Sequence, residues 1–233
     1  MNFTERTKVN FNKVADNILA SLTAGEELAM NLNAEESLFV RFNNNKVRQT
    51  TLVDQSFLDF RLQKDGKTAD ALFSLTGNTE PDIQAAQKWL AQLRKDIETL
   101  PPDPYQVKMQ NNGTSESTHT GKLLAPADVI EAVTKPGSDT DLAGLYTGGP
   151  LITGNRNSLG QSHWFATESF FMDYSLYNGE KAVKGVYAGT EWQQSAFQNH
   201  LQHSKNELSL MNKPKKVLTP GAYRTYLAPG AVA

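Results

Sequence analysis

The first apolar pattern along the chain has the period of a helix. Phe11, Val14, Ile18 and Leu22 recur at three- and four-residue spacing, and Ala15 and Leu19 widen the stripe, which predicts a helix over residues 4–22. Gly25 follows the last apolar position and suits a helix stop. The period then changes to two. Leu38, Val40 and Phe42 alternate with Phe39, Arg41 and Asn43, and Leu58, Phe60 and Leu62 alternate with Asp59 and Arg61. Such alternation predicts strands with one dry face and one wet face. Asn43-Asn44-Asn45 and Asp65-Gly66 are turn signals, because Asn, Asp and Gly tolerate left-handed backbone. The stretch 46–54 is rich in Thr and Val, Ala69 to Leu75 continues the dry face, and Leu28–Leu32 is a candidate further strand. Thr79-Glu-Pro-Asp82 opens a second helix, with Thr79 as cap, Asp82 closing a capping box and Pro81 in the first turn. Ala86, Leu90, Leu93, Ile97 and Leu100 form its stripe, and Pro101-Pro102-Asp103-Pro104 ends it.

Beyond the prolines the pattern is mainly strand-like. Residues 110–121 are Asn, Gly, Ser and Thr without periodicity and read as a surface loop. A short helix is predicted over Pro126–Val133, strands over Gly144–Gly154, Ser162–Tyr177 and Ala182–Trp192, a helix over Gln193–Met211, and a last strand over Tyr223–Leu227. Asn178-Gly179 is the strongest short hairpin signal. The expected class is α+β. A helix–antiparallel sheet–helix domain over 1–103 is followed by a second antiparallel β-rich domain with helices over 104–233.

Composition narrows the chemistry. The 233 residues contain no cysteine, which excludes disulfides, thiolate metal sites and a cysteine nucleophile. That fits a reducing cytoplasm. No apolar run approaches the length of a membrane span, and the polar N-terminus is unlike a signal peptide. Residues 1–104 carry 12 basic and 15 acidic side chains and residues 105–233 carry 11 and 10, so neither half offers a phosphate-binding face and no nucleic acid is expected as partner. The ending Ala228-Pro-Gly-Ala-Val-Ala233 is apolar, where termini are usually polar and frayed, and it reads either as a docked tail or as the mark of an unfinished second domain of a longer protein.

The reactive side chains form no self-contained site. His119, His163, His200 and His203 lie outside any His-Glu-x-x-His pattern. His200 and His203 have a usable metal spacing, with Glu207 as the acidic residue one turn past His203. His163 and Glu168 are an odd number apart on one strand and so face opposite ways. Glu168 shares its face with Trp164, Ala166, Phe170, Met172, Tyr174 and Leu176. A carboxylate there is either perturbed and functional or paired with a structural partner such as Lys184 or Arg156. Gly148-Gly149-Pro150 lacks the Gly-Lys-Ser/Thr of a phosphate loop, and there is no Gly-x-Ser-x-Gly elbow. Phe165, Phe171 and Tyr177 share a mixed face with Thr167, Ser169, Asp173 and Ser175, suited either to an extended peptide or to plain wet surface.

The order of the pieces carries a resemblance. An N-terminal helix precedes Ser37-Leu-Phe-Val-Arg-Phe-Asn-Asn-Asn-Lys-Val47, and a strand leads to Phe60-Arg-Leu-Gln-Lys-Asp-Gly66 and a helix. Then come Asn157-Ser-Leu-Gly160, a long aromatic hairpin, a helix and Leu218-Thr-Pro-Gly-Ala-Tyr-Arg-Thr-Tyr-Leu-Ala-Pro-Gly-Ala-Val232. The whole resembles the N-terminal half of the TldD/PmbA family, the so-called modulators of DNA gyrase, and the Pro-Gly-x-Tyr segment is its most telling match. The resemblance implies a cytoplasmic protein of proteolysis, related to zinc metallopeptidases that trim peptides. Metal-bearing members carry a His-Glu-x-x-x-His helix beyond this region; this chain has no such motif, so no metal ligand and no catalytic residue carry over. Whether the chain is itself an enzyme stays open, and the Pro-Gly-x-Tyr wording leans toward the metal-less, PmbA-like type.

The implied role is peptide binding and subunit assembly, as a homo-oligomer or with a metal-bearing TldD-like subunit. The resemblance implies no cofactor in this chain, and zinc in the full-length protein or its partner. The hairpin Ser162–Trp192 and the loop Asn155–Gly160 are candidates for lining the peptide space. Arg156 is the candidate for a substrate carboxylate, Asn157 or Ser158 for a backbone group, and Glu168 is a further candidate in the site. The alternatives are a non-enzymatic binding module and a self-contained hydrolase using Glu168 and a histidine.

Overall fold

The computed structural model describes residues 1–227, 231 and 232. The chain runs α1 (Phe3–Ala20), β1 (Glu27–Asn43), β2 (Lys46–Lys64), β3 (Lys67–Leu75), α2 (Thr79–Thr99), β4 (Thr114–His119), α3 (Val129–Thr134), β5 (Asp141–Asn157), β6 (Ser162–Asn178), β7 (Lys181–Gly189) and α4 (Gln194–Leu210). The seven strands form one sheet in the order β3-β2-β1-β5-β6, with β6 flanked on its far side by β4 along one half and by β7 along the other. All pairings are antiparallel except β4 with β6. The expected α+β class is observed, with strands longer than predicted: Leu28–Leu32 is the start of the 17-residue β1 rather than a separate strand.

The turns follow their chemistry. Asn44 and Asn45 have φ of 50° and 52°, and Asp65 and Gly66 have 50° and 75°, as two-residue hairpins of the I′ kind require. The third hairpin is displaced by one residue from the expected Asn-Gly pair. Asn178 pairs with Lys181, so the loop residues are Gly179 and Glu180, and Gly179 takes the positive φ of 59°. Two other expectations are corrected. Residues 114–119, read as loop, form β4; this short polar strand has no dry face, so no alternation announces it. Tyr223–Leu227 is not a strand, and its residues are exposed. Ala228 to Gly230 and Ala233, part of the apolar ending, lie outside the described residues.

Two cores lie end to end under the sheet. The first joins Phe11, Val14 and Ile18 of α1 and Leu90, Leu93 and Ile97 of α2 to the dry faces of β1, β2 and β3, together with Ile152, Trp164 and Ala166. The second joins Val129 and Val133 of α3 and Phe197 and Leu201 of α4 to Tyr146, Phe170, Met172 and Tyr174, together with Val40 and Phe42. Both cores, and the ladder between β1 and β5, therefore draw on residues from either side of Pro101–Pro104. In the second core, Trp192 meets the rings of Phe170, Tyr187 and Phe197 at centroid distances of 5.0, 5.1 and 5.1 Å.

Two polar devices fasten the helices. At the start of α1, the Asn2 side chain accepts from the Glu5 amide at 2.9 Å and the Glu5 carboxylate accepts from the Asn2 amide at 3.3 Å, a reciprocal capping box. Asp82 serves α2 differently from the predicted box with Thr79. The helix starts at Thr79 after Asn78, which makes no side-chain cap bond. Asp82 is buried and accepts from Thr76 N, Thr76 Oγ1 and Gly77 N at 2.7, 2.8 and 3.0 Å, and from Asn10 Nδ2 of α1 at 2.7 Å. One carboxylate thus ties α1, α2 and the end of β3 together.

Removing it orphans four donors. Asp82→Ala is expected to cost about 3 kcal/mol, read as a fall in the urea midpoint at unchanged slope.

A second carboxylate adds a pH dependence. Glu26, buried before β1, accepts from Arg94 Nε and Nη2 at 2.9 and 2.8 Å and from Thr23 N at 2.9 Å. The Arg94 hydrogen bonds hold its carboxyl down at about 2, against an ordinary 4.5 and in spite of burial. A lowered folded pKa contributes stability that is full above 4.5 and lost as pH falls toward 2. Glu26→Gln is expected to lower stability at pH 7 by about 2 kcal/mol, and the gap to the parent should close between pH 4.5 and 2 in denaturation series.

Candidate functional site

The alternation of the strands decides which side chains meet the helices. In β1, β5 and β6, and in β2 from Ser56 onward, the even-numbered positions point to the helices; in β3 and β7 the odd-numbered positions do. All four helices pack on that one face. Among the described residues no helix or strand covers the other face. Across it, cross-strand rows read Thr51–Phe39–Thr147–Phe171–Ala188 and Phe57–Asn33–Thr153–Phe165–Ser117. The aromatics flank a central strip of small side chains, Ser37 opposite Val53 and Gly149 opposite Ser169.

Two grooves cross this open face. One of about 930 Å³ is lined by Phe39, Arg41, Gln49, Leu145, Phe171 and Lys184, with Lys184 Nζ 3.0 Å from Asp173. The other, of about 430 Å³, is lined by Asn33, Phe57, Leu151, Thr153, Phe165 and Thr167. Phe165, Phe171 and Tyr177 are 44, 42 and 43% exposed, a large apolar share for side chains on a regular sheet. At the far end lies a polar row. Asn155 Nδ2 donates to Asn31 Oδ1 at 2.6 Å, and the neighbouring Asp59 has its carboxyl raised, by burial first and by the negative charge of Asp70 second. His163 and His119 sit on the same face beside Ser115 and Ser117, with His163 Nδ1 2.8 Å from Ser115 Oγ and His119 Nε2 2.8 Å from Ser117 Oγ.

The sequence-derived site residues lie elsewhere. Arg156 Nη1 donates to Asp16 of α1 at 2.7 Å. Asn157 is buried; its Oδ1 accepts from the amides of Leu159 and Gln161, and its Nδ2 donates to Gln110 O. Ser158 Oγ accepts from Leu28 N at 3.1 Å, and Ser158 N donates to Leu28 O. These three residues border a recess of about 340 Å³ with Leu19, Leu22 and Glu26, on the helix side. Glu168 accepts from Gly121 N at 2.9 Å, where the chain passes between the end of β4 and the end of β7. A Cβ on Gly121 would stand 2.7 Å from Glu168 O and 2.8 Å from Thr190 O, so the crossing needs glycine. His163 and Glu168 face opposite ways, as their spacing predicts. His203 pairs with Glu207 at 3.3 Å while His200 lies beside the Tyr187 ring, and no cluster of three His, Asp or Glu side chains suited to a metal exists among the described residues.

Sequence reasoning singled out the aromatics of β6 but not Phe39, Phe57, Leu145 or Leu151, which complete the face from β1, β2 and β5. Cross-strand register brings these together, and spacing within one strand does not reveal it.

One sheet of long strands with helices on a single face, assembled from this order of elements, is a fold found in solved structures. It is the fold of TldE from Thermococcus kodakarensis (TM-score 0.59, 12% identity, 78% of this chain and 44% of that one). Candidate modulators of DNA gyrase share it: one from Thermotoga maritima (0.54, 13%, 87% and 47%) and one from Bacteroides thetaiotaomicron (0.61, 12%, 88% and 50%). These are proteins of the TldD/PmbA family that the sequence resembles, and the chain spans about half their length. At such identities the likeness is one of fold. No protein-family model and no curated protein matches the sequence. Among the described residues no helix is long and apolar enough to cross a membrane.

The Glu168 contact makes a prediction that separates tether from acid–base group. Glu168→Gln keeps an acceptor and should leave stability within about 0.5 kcal/mol, while Glu168→Ala should cost about 1 kcal/mol in urea unfolding.

Proposed function

We propose that this chain is the peptide-holding, catalytically incomplete part of a TldD/PmbA-type peptidase. It works in the cytoplasm beside a metal-bearing subunit or with further sequence of its own protein, and zinc belongs to that complementary part. The observation that carries this reading is the uncovered sheet face, with two grooves and paired aromatic rows around a strip of small side chains. An extended peptide laid there meets flat apolar side chains at intervals, with Arg41 and the paired Lys184 and Asp173 in the larger groove, which gives sequence-tolerant affinity. In this reading Arg156, Asn157, Ser158 and Glu168 support the sheet and its loops from the helix side, and the peptide lies across Phe39, Phe165 and Phe171. A hydrolase built from Glu168 and a histidine is disfavoured, because Glu168 is engaged with Gly121 and His163 points the other way.

Fluorescence anisotropy with labelled unstructured decapeptides tests the reading. Binding with little dependence on peptide sequence is expected. The double change Phe165→Ser/Phe171→Ser should weaken it at least about tenfold, or about 1.4 kcal/mol, with the melting temperature retained. No binding by the parent, or affinity unmoved by the double change, overturns it. Metal-dependent cleavage by the chain alone, persisting in a His200→Ala/His203→Ala variant, would show that the chain is a complete enzyme instead.

A further inference from the structure

The uncovered face carries its charges unevenly. Arg41 of β1 lines the larger groove beside Phe39 and Leu145, and Arg48 of β2 lines it from the next strand. Arg48 owes that place to an irregularity. Val47 pairs with Phe42 and Gln49 with Arg41, so Arg48 is an extra residue with no cross-strand partner. Such a bulge releases a side chain from strict alternation, and here it brings a second guanidinium into the groove of the first. Arg6, Arg61, Arg94 and Arg156 each hold a carboxylate, on Asp54, Asp70, Glu26 and Asp16. Arg41 and Arg48 hold none among the described residues. The carboxylate that lines the groove with them, Asp173, is taken by Lys184 at 3.0 Å. Asp141 on β5 stands four residues beyond Leu145, outside the groove. Along the face toward the other end the next charged side chain is Glu35, which Ser37 and Gln55 engage. At that far end Asp59 and Asp70 outnumber Arg61, so the sign is reversed.

A guanidinium fork matches a carboxylate, two N–H donors to two oxygens. A face that tolerates sequence cannot count on an Asp or Glu at a fixed position, whereas every linear peptide ends in an α-carboxylate. The place also suits an end. β1 stops two residues past Arg41, at the Asn44-Asn45 turn, so the sheet beneath a peptide running along β1 stops there too. In the other direction there is room for a chain. Phe165 is six residues from Phe171 on β6, about 20 Å, and Asn31, the cross-strand partner of Asp59, is ten residues from Arg41 on β1, about 34 Å. We infer that Arg41 and Arg48 take the C-terminal carboxylate of the bound peptide, whose last residues lie over Phe39 and Phe171 and whose earlier residues run toward Phe165. The substrates are then linear peptides with a free C-terminus, bound in one direction. The assignment rests on the peptide reading of the open face.

One uncharged decapeptide sequence, labelled at its N-terminus, tests it by fluorescence anisotropy in three forms: the free acid, the C-terminal amide, and the amide with Glu at its centre. At low salt the free acid is expected to bind about tenfold more tightly than the amide, and the gap should shrink as salt is raised. The central Glu should not recover the loss. Arg41→Gln/Arg48→Gln, two exposed positions whose folding circular dichroism checks, should abolish the difference between acid and amide. Acid and amide bound equally by the parent overturns the assignment and leaves the peptide reading standing; binding of neither overturns both. Recovery by the central Glu, or a gap that persists in the double variant, overturns the assignment as well.

Discussion

The pairing of β1 with β5 is the constraint from which the rest of the molecule follows. It joins Ala29 to Asn157 and Phe42 to Gly144, so the closing contacts lie more than a hundred residues apart in sequence. The ladder is interrupted only opposite Gly149 and Pro150. Proline brings no amide there, and Gly149 approaches the Glu36 carbonyl so closely that a Cβ would stand 2.0 Å from its oxygen. On one side of this interruption the sheet rests on α1 and α2, and on the other it rests on α3 and α4. Because the register does not slip across it, side chains keep their faces along the whole length.

That constancy of face is what leaves one side of the sheet uncovered. Four helices are enough to cover one face of seven strands, and all four among the described residues lie there. The polar fasteners serve the same end: Asp82 and the Glu26–Arg94 pair hold α1 and α2 together, and Asn45 reaches from the first hairpin to Thr134 O of α3. The helix side is rigidly closed, and the chemistry available for recognition is displaced to the other side. Residues that looked exposed and reactive in the loop Asn155–Gly160 are consumed in closing it.

Much of the fold was legible because the periodicities are local. The stripe of α1, the alternation of Leu58, Phe60 and Leu62, and the left-handed turn residues each report a structure formed within a few neighbours. The errors occurred where the signal is not local. β4 has no dry face and exists only because β6 offers it an edge. The turn at Gly179 is fixed by the register of Asn178 with Lys181, which one residue of slip would have satisfied in composition but not in facing. Asp82 looked like an ordinary capping residue because its decisive partner, Asn10, is 72 residues away.

The sequence by itself determined most of the elements, their order, the class of fold and the absence of thiol chemistry, since each depends on short-range pattern or on composition. Only the tertiary structure decided which polar residues are spent internally and which aromatics share a face. Arg156, Asn157, Ser158 and Glu168 carry nothing in their types to say that partners elsewhere in the chain already engage them. Phe39, Phe57, Leu145 and Leu151 carry nothing to say that they lie in the same surface as Phe165 and Phe171. Both facts are set by cross-strand register, an interaction between distant segments that no local pattern encodes.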